Sequence, residues 1–192
     1  MNKVFFDLEW NTGFLDGNSF DEIIEIGAVK TDEEYRQIDG FRRLIRPVIY
    51  RKMNPYIQKI LAITMKDLQG EEPLAAVAKV FFDWCGDCDT LIAWSGNDFG
   101  VLEKNLAHIG MKIPEQLGRY DVQMAYAYRT ENSIRNYALK TAVEAMELPE
   151  PEGQEYHDAY CDAQFTAAIG RALTERYGPL PAVEELQALK NT

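Results

Sequence analysis

Four acids and one of only two histidines have the types and spacing to do chemistry in this 192-residue chain. Asp7 and Glu9 interrupt an apolar segment, Phe5-Phe6-Asp7-Leu8-Glu9-Trp10, that reads as a strand. At i and i+2 their carboxylates leave the same face, and Phe5 shares it. Two like charges side by side in an apolar strand are costly unless something neutralises them. An edge strand with its acidic face in water is the plain alternative. Asp98 ends Trp94-Ser95-Gly96-Asn97-Asp98, at a strand-to-helix turn of the kind where open α/β sheets place their sites. Asn97 or Asp98 would serve equally as a helix cap there. His157-Asp158-Ala159-Tyr160-Cys161-Asp162 completes the set. With Asp158 as N-cap, Asp162 lies inside the helix and His157 in its lead-in. Five residues turn about 140° at ~3.6 residues per turn, so His157 must reach over from the loop. That arrangement suits a base that moves beside a ligand that stays fixed.

Four carboxylates brought together without Lys or Arg partners require divalent cations, and hard oxygen donors select Mg²⁺ or Mn²⁺ over zinc. Convergence depends on the elements. Val4 to Trp10 predicts a first strand, Asn11-Thr12-Gly13 and Asp16-Gly17-Asn18 a loop, and Ile23 to Lys30 a second strand. Gln37 to Ile45 predicts a third, making an antiparallel meander. A short helix follows around Tyr56–Leu61, and Ile63-Thr64 opens a turn before Met65–Leu68. Leu74, Val77, Val80, Phe81 and Trp84 recur with helical period after Pro73. Thr90 to Trp94 reads as a buried strand, Asp98 to Ile109 as a helix, and Arg119 to Val122 as a short last strand. Helices are predicted over Val122–Tyr128, Tyr137–Met146 and Asp158–Tyr177, with an irregular connection over Leu148–Glu155. Ala159, Ala163 and Ala167 form a small-residue stripe that lets the last of these approach a sheet. The fold class is α/β: a mixed five-stranded sheet, three antiparallel strands and then parallel ones, flanked by helices.

Bulk properties set the class. No apolar run approaches the ~18 residues of a membrane span, and the N-terminus lacks a signal-peptide pattern. Three cysteines suggest no disulfide framework, so a reducing, cytoplasmic setting is expected. The Cys85-Cys88 pair sits at a helix end, away from the usual redox placement. Net charge is −11, which argues against broad coating of nucleic acid. Arg36 to Lys52 nevertheless carries +5, leaving −16 elsewhere, as either a solvated surface or a local track for a phosphate backbone.

In this order the motifs resemble the DEDDh branch of the proofreading-type exonuclease superfamily, which includes RNase T and histone-mRNA 3′-exonuclease-like proteins. Asp7-Leu8-Glu9 looks like its first motif, Trp94 to Asp98 with Leu102 its second, and His157 with Asp162 its third. Ile24-Glu25-Ile26-Gly27-Ala28-Val29, Ile63-Thr64 and Asn136-Tyr137-Ala138-Leu139-Lys140 are similar too, so the resemblance runs from Val4 to Leu173. It departs where the family often has Thr-Thr-Gly or Ala-Thr and this chain has Trp10-Asn11-Thr12-Gly13.

The resemblance implies an RNase H-like fold, an exonuclease domain over residues 1–178 and a helical tail, 179–192, packed on it. It implies two divalent cations, Mg²⁺ or Mn²⁺, held by Asp7, Glu9, Asp98 and Asp162, with His157 taking the proton from the attacking water. The substrate would be the 3′ end of single-stranded RNA or DNA, cut to nucleoside 5′-monophosphates. Trp10, Asn11, Thr12, Phe14, Thr64 and Asn97 are the candidate substrate contacts. Alternatives are a degrader of very short RNAs, a silent nucleic-acid-binding module, and a proofreading subunit docked to a polymerase. A homodimer or a ribonucleoprotein partner is also open.

Overall fold

Alternation along β1 (Lys3–Leu15) sends Val4, Phe6 and Leu8 into one core and Phe5 into another. A single strand therefore separates two hydrophobic layers, and its odd face carries Asp7 and Glu9. The computed structural model describes residues 2–149 and 157–189. In it β1 pairs antiparallel with β2 (Asn18–Thr31), and β2 antiparallel with β3 (Gln37–Leu44). On its other side β1 pairs in parallel with β4 (Thr90–Ala93), and β4 with β5 (Gly118–Asp121). The order β3-β2-β1-β4-β5 is the expected mixed sheet.

Helices cover both faces. After β3 come two short helices, α1 (Ile57–Ile60) and α2 (Met65–Leu68), which pack with Met53 and Leu61 on Ile24. α3 (Leu74–Cys85) and α4 (Gly96–His108) bury Val77, Phe81, Leu102 and Leu106 against the Val4 side. α5 (Val122–Glu131), α6 (Leu139–Ala145), α7 (Ala159–Tyr177) and α8 (Val183–Leu189) close over Phe5. Leu186 of α8 joins that core, and the Tyr120 hydroxyl donates to the Pro181 carbonyl at 2.9 Å, tying the C-terminal segment to β5. Of the expected irregular connection, Glu150 to Glu155 lies outside the described residues. No helix among the described residues is long and apolar enough to cross a membrane.

The first hairpin departs from expectation. Asn11-Thr12-Gly13 is strand, and β1 and β2 stay paired out to Leu15 and Asn18. The turn is only Asp16-Gly17, both at positive φ (50° and 82°), as a tight hairpin requires. Residues 10–15 and 18–23 thus run past β4, which pairs only with Lys3–Phe5, and past β3, which pairs no further than Glu25. Polar side chains that look like loop residues instead fasten this arm. Thr12 Oγ1 donates to Asp21 Oδ1 at 2.8 Å. Asn105 of α4 accepts from Ile23 N at 3.1 Å and donates to the Asp21 carbonyl at 2.7 Å. Glu22 accepts the backbone N–H groups of Val48, Ile49 and Tyr50 at 2.6–2.9 Å, pinning the following loop beside the arm.

Candidate active site

The site forms where the odd face of β1 leaves the Phe5 core. In register, Asp7 lies opposite Gly27 and Gly27 opposite Arg42; Glu9 lies opposite Glu25. Gly27 is the pivot. A Cβ there would fall 2.1 Å from Tyr160 N and 2.2 Å from the Ala159 carbonyl carbon, so the first turn of α7 rests directly on the β2 backbone. Ala159 and Ala163 of the small-residue stripe are fully buried beneath it, and Gly170 admits the Phe5 ring one layer further along. This close approach brings Asp162 up to the acids of β1.

Asp158 caps α7, its Oδ1 accepting from Cys161 N at 3.1 Å. His157, immediately before it, is exposed and in left-handed backbone (φ 68°), and its N–H reaches Asp162 Oδ2 at 3.2 Å. One ligand atom from each of Glu9, His157 and Asp162 lies within 4.8 Å of the others. Asp98 arrives from the other side. Ser95, not Asn97 or Asp98, caps α4, accepting from Asn97 N at 3.3 Å. Asp98 is thereby left with a buried carboxylate, 5% exposed, that takes the Ser95 hydroxyl at 3.3 Å.

Electrostatics mark these four carboxylates as frustrated. Burial, then Asp98, Asp162, Glu9 and Glu25, push Asp7 well above the usual carboxylate range. Burial and the neighbouring acids Asp162 and Glu25 raise Glu9 to about 9. Burial lifts Asp162 to about 7 against the His157 amide, and Asp98 to about 6 against its hydrogen bonds. Asp162 Oδ1 is buried without a hydrogen-bond partner. A cluster of desolvated acids with an orphaned oxygen is the donor set that hard divalent cations satisfy.

The candidate substrate contacts separate. Phe14 stands 77% exposed near the hairpin tip, while Trp10 packs against the core. Asn11 is buried, donating to the Lys52 carbonyl at 3.0 Å and accepting from Asn54 N at 2.8 Å. Thr12 is engaged with Asp21, as above. Thr64 caps α2, its backbone N–H and hydroxyl both donating to Asp67 Oδ2. Asn97 is exposed in the first turn of α4. A cavity of about 210 Å³ opens beside His157, lined by Glu25, Arg42, Leu44, Ile60, Ile63 and Asp158 among others.

The basic window is largely consumed by the fold. Arg36 pairs with Asp32 and Glu34 at 2.8 Å, and Arg43 lies 5.5 Å over the Phe41 ring. Arg46 Nε donates to the Glu71 carbonyl at 3.1 Å. Arg42 pairs with Glu25 at 2.7 Å and Asp158 at 2.5 Å. In the sequence Gly27 stands only within a matched segment and Arg42 only as one charge of the basic window, and neither is given a place at the site. An acid in an apolar strand flags Glu25 as it flags Asp7, but nothing local links either residue to Asp158.

The RNase T family model, described as Exonuclease, matches residues 4–169. The chain belongs to this exonuclease family. It is 29% identical over 169 residues to the DNA polymerase III PolC-type of Clostridium perfringens (strain 13 / Type A), covering 86% of this chain and 11% of that protein. Among solved structures it is similar to cell-death related nuclease 4, at TM-score 0.79 and 14% identity, covering 92% of this chain and 64% of that one. It is also similar to the nuclease domain of 3′hExo, a DEDDh family member bound to rAMP (TM-score 0.77, 17% identity, 94% of each chain). Exonuclease X in complex with 5′ overhanging duplex DNA gives TM-score 0.67 at 19% identity, covering 97% and 98%. At these identities the structural likeness is one of fold, and the fold is the RNase H-like exonuclease fold that the motifs implied. The chain spans only a small part of the polymerase and just under two thirds of cell-death related nuclease 4.

Proposed function

We propose that this exonuclease-family chain removes nucleotides from the 3′ end of single-stranded RNA or DNA with the help of two divalent cations. The observation that carries the reading is the convergence of Asp7, Glu9, Asp98 and Asp162 beneath an exposed His157. Asp7, Glu9, Asp98 and Asp162 would hold the cations, Mg²⁺ or Mn²⁺. When bound, such a pair stabilises the attacking and leaving oxygens of an in-line displacement at phosphorus. His157 has the reach: one imidazole nitrogen lies within 4.8 Å of carboxylate oxygens of Glu9 and Asp162, and the residue is open to solvent. It takes the proton from the attacking water as a general base. The product is a nucleoside 5′-monophosphate. Exposed Phe14 supports stacking on a base, whereas Asn11 and Thr64 support the site through the loop and helix they fasten.

The test uses 5′-labelled and 3′-labelled single-stranded RNA and DNA of several lengths with Mn²⁺ or Mg²⁺. Laddering of 5′-labelled strands with immediate mononucleotide release from 3′-labelled ones is the expected result. The reverse pattern would overturn the direction, and inertness throughout would favour a silent binding module. The 29% identity to a polymerase chain supports a second reading, proofreading beside a polymerase. That reading expects mismatched primer ends to be trimmed faster than matched ones.

A further inference from the structure

We propose that Arg42 is the positioning residue for His157. The inference rests on the exonuclease reading and adds to it a residue outside the acidic cluster. Arg42, Gly27 and Asp7 form one row across β3, β2 and β1. The first turn of α7 crosses that row at Gly27, with Asp162 directed to the β1 acids and Asp158 to Arg42. The guanidinium grips two partners. Nε holds Glu25 Oε1 at 2.7 Å and Nη2 holds Asp158 Oδ2 at 2.5 Å. Glu25 is fully buried, so its end of the clamp is immobile, and the clamp transmits that rigidity to Asp158.

His157 needs such an anchor. It is exposed and occupies left-handed backbone, which a residue with a Cβ adopts at a cost unless its surroundings impose it. Downstream, Asp158 is fixed twice, to Cys161 N through Oδ1 and to Arg42 through Oδ2. His157 therefore hangs from a point that Arg42 secures. Through Glu25, which lies opposite Glu9 in the β1–β2 ladder, the same guanidinium is also tied to the strand pair that carries the acids. Half of the Arg42 side chain is exposed, and it shares the wall of the cavity beside His157.

The experiment is a double-mutant cycle on full-length protein, joining Arg42→Ala with His157→Ala and reading kcat and KM on a 5′-labelled oligonucleotide. Arg42→Ala is expected to lower kcat at least tenfold with KM and calorimetric Mn²⁺ affinity within threefold of wild type. Arg42→Lys should restore part of the loss. The double variant should be no slower than His157→Ala alone, because a positioning residue has nothing left to position. Multiplicative losses, or a loss confined to Mn²⁺ affinity, would overturn the proposal. Asp158→Asn keeps a helix cap while discharging the clamp, and must itself lower kcat at least tenfold with KM and Mn²⁺ affinity within threefold of wild type, which decides the matter if Arg42→Ala fails to fold. If wild type proves inert on every substrate, the exonuclease reading fails by itself. NMR of the two histidine side chains then decides: Arg42→Ala or Asp158→Asn must shift and sharpen His157 and leave His108 unchanged, and an unmoved His157 would refute the anchor.

Discussion

Burial and four neighbouring carboxylates hold Asp7 well above the usual carboxylate range, so the charge it needs for binding a cation is a charge its surroundings resist. Asp7→Asn removes that conflict and keeps the shape. The variant should show no detectable hydrolysis, native circular dichroism, and a metal-free Tm higher by roughly 2–4 °C for each kcal/mol of repulsion relieved. Ordinary turnover would sink the two-cation assignment. His157 stands on different ground, because it is solvent-exposed and offers one nitrogen at the rim of the cluster. His157→Ala should slow turnover by about 10²–10⁴-fold with little change in Mn²⁺ affinity. Equal losses in both would make it a ligand. These acids were legible in the sequence because a carboxylate among Phe, Leu and Trp contradicts its surroundings. The cap of α4 was harder to read, since Ser95, Asn97 and Asp98 all suit an N-terminus and only the backbone geometry separates them.

Elements carry the tolerances. α7 lies on β2 with a glycine as its only spacer, and the atoms a Cβ would meet at Gly27 are backbone, which cannot swing aside. Gly27→Ala should therefore destabilise the protein by about 3 kcal/mol and displace Asp162 from Asp7 and Glu9. Chemical denaturation should show a lower midpoint, and Mn²⁺ titration a weakened site even where the protein stays folded. A variant as stable as wild type would mean that α7 is not seated as described. The strands and main helices were readable from period and punctuation, and their order gave the sheet. What hid was long-range: Gly27 meets a helix that begins 132 positions later, and the polar run Asn11-Thr12 is held as strand by Lys52, Asn54 and Asp21. Propensity sees neither.

The whole molecule carries net charge −11, and part of the acid excess is concentrated where it is least solvated. Asp98, Asp162 and Glu9 have folded values of about 6, 7 and 9, all above an unfolded value of about 4. Between those limits the folded protein binds more protons than the unfolded chain, so its stability falls as pH rises. Without metal, Tm should decline from about pH 5 to about pH 9, and Mg²⁺ or Mn²⁺ should raise it most at the alkaline end, releasing protons as it binds. A metal-free Tm that rises across this interval would contradict the electrostatic picture.

The hairpin arm that runs past β3 and β4 raises a separate matter, that of self-association. A two-stranded ribbon ordinarily exposes unpaired backbone groups along both borders, an invitation to add strands from another molecule. Here asparagine side chains occupy those groups: Asn105 takes the Asp21 carbonyl and the Ile23 amide on one strand, and Asn54 takes the Thr12 carbonyl on the other. Each amide imitates a neighbouring strand one residue long and closes the border to recruits. Asn105→Ala should reopen it, seen as faster hydrogen exchange at Ile23 and concentration-dependent aggregation, with the acidic cluster itself untouched.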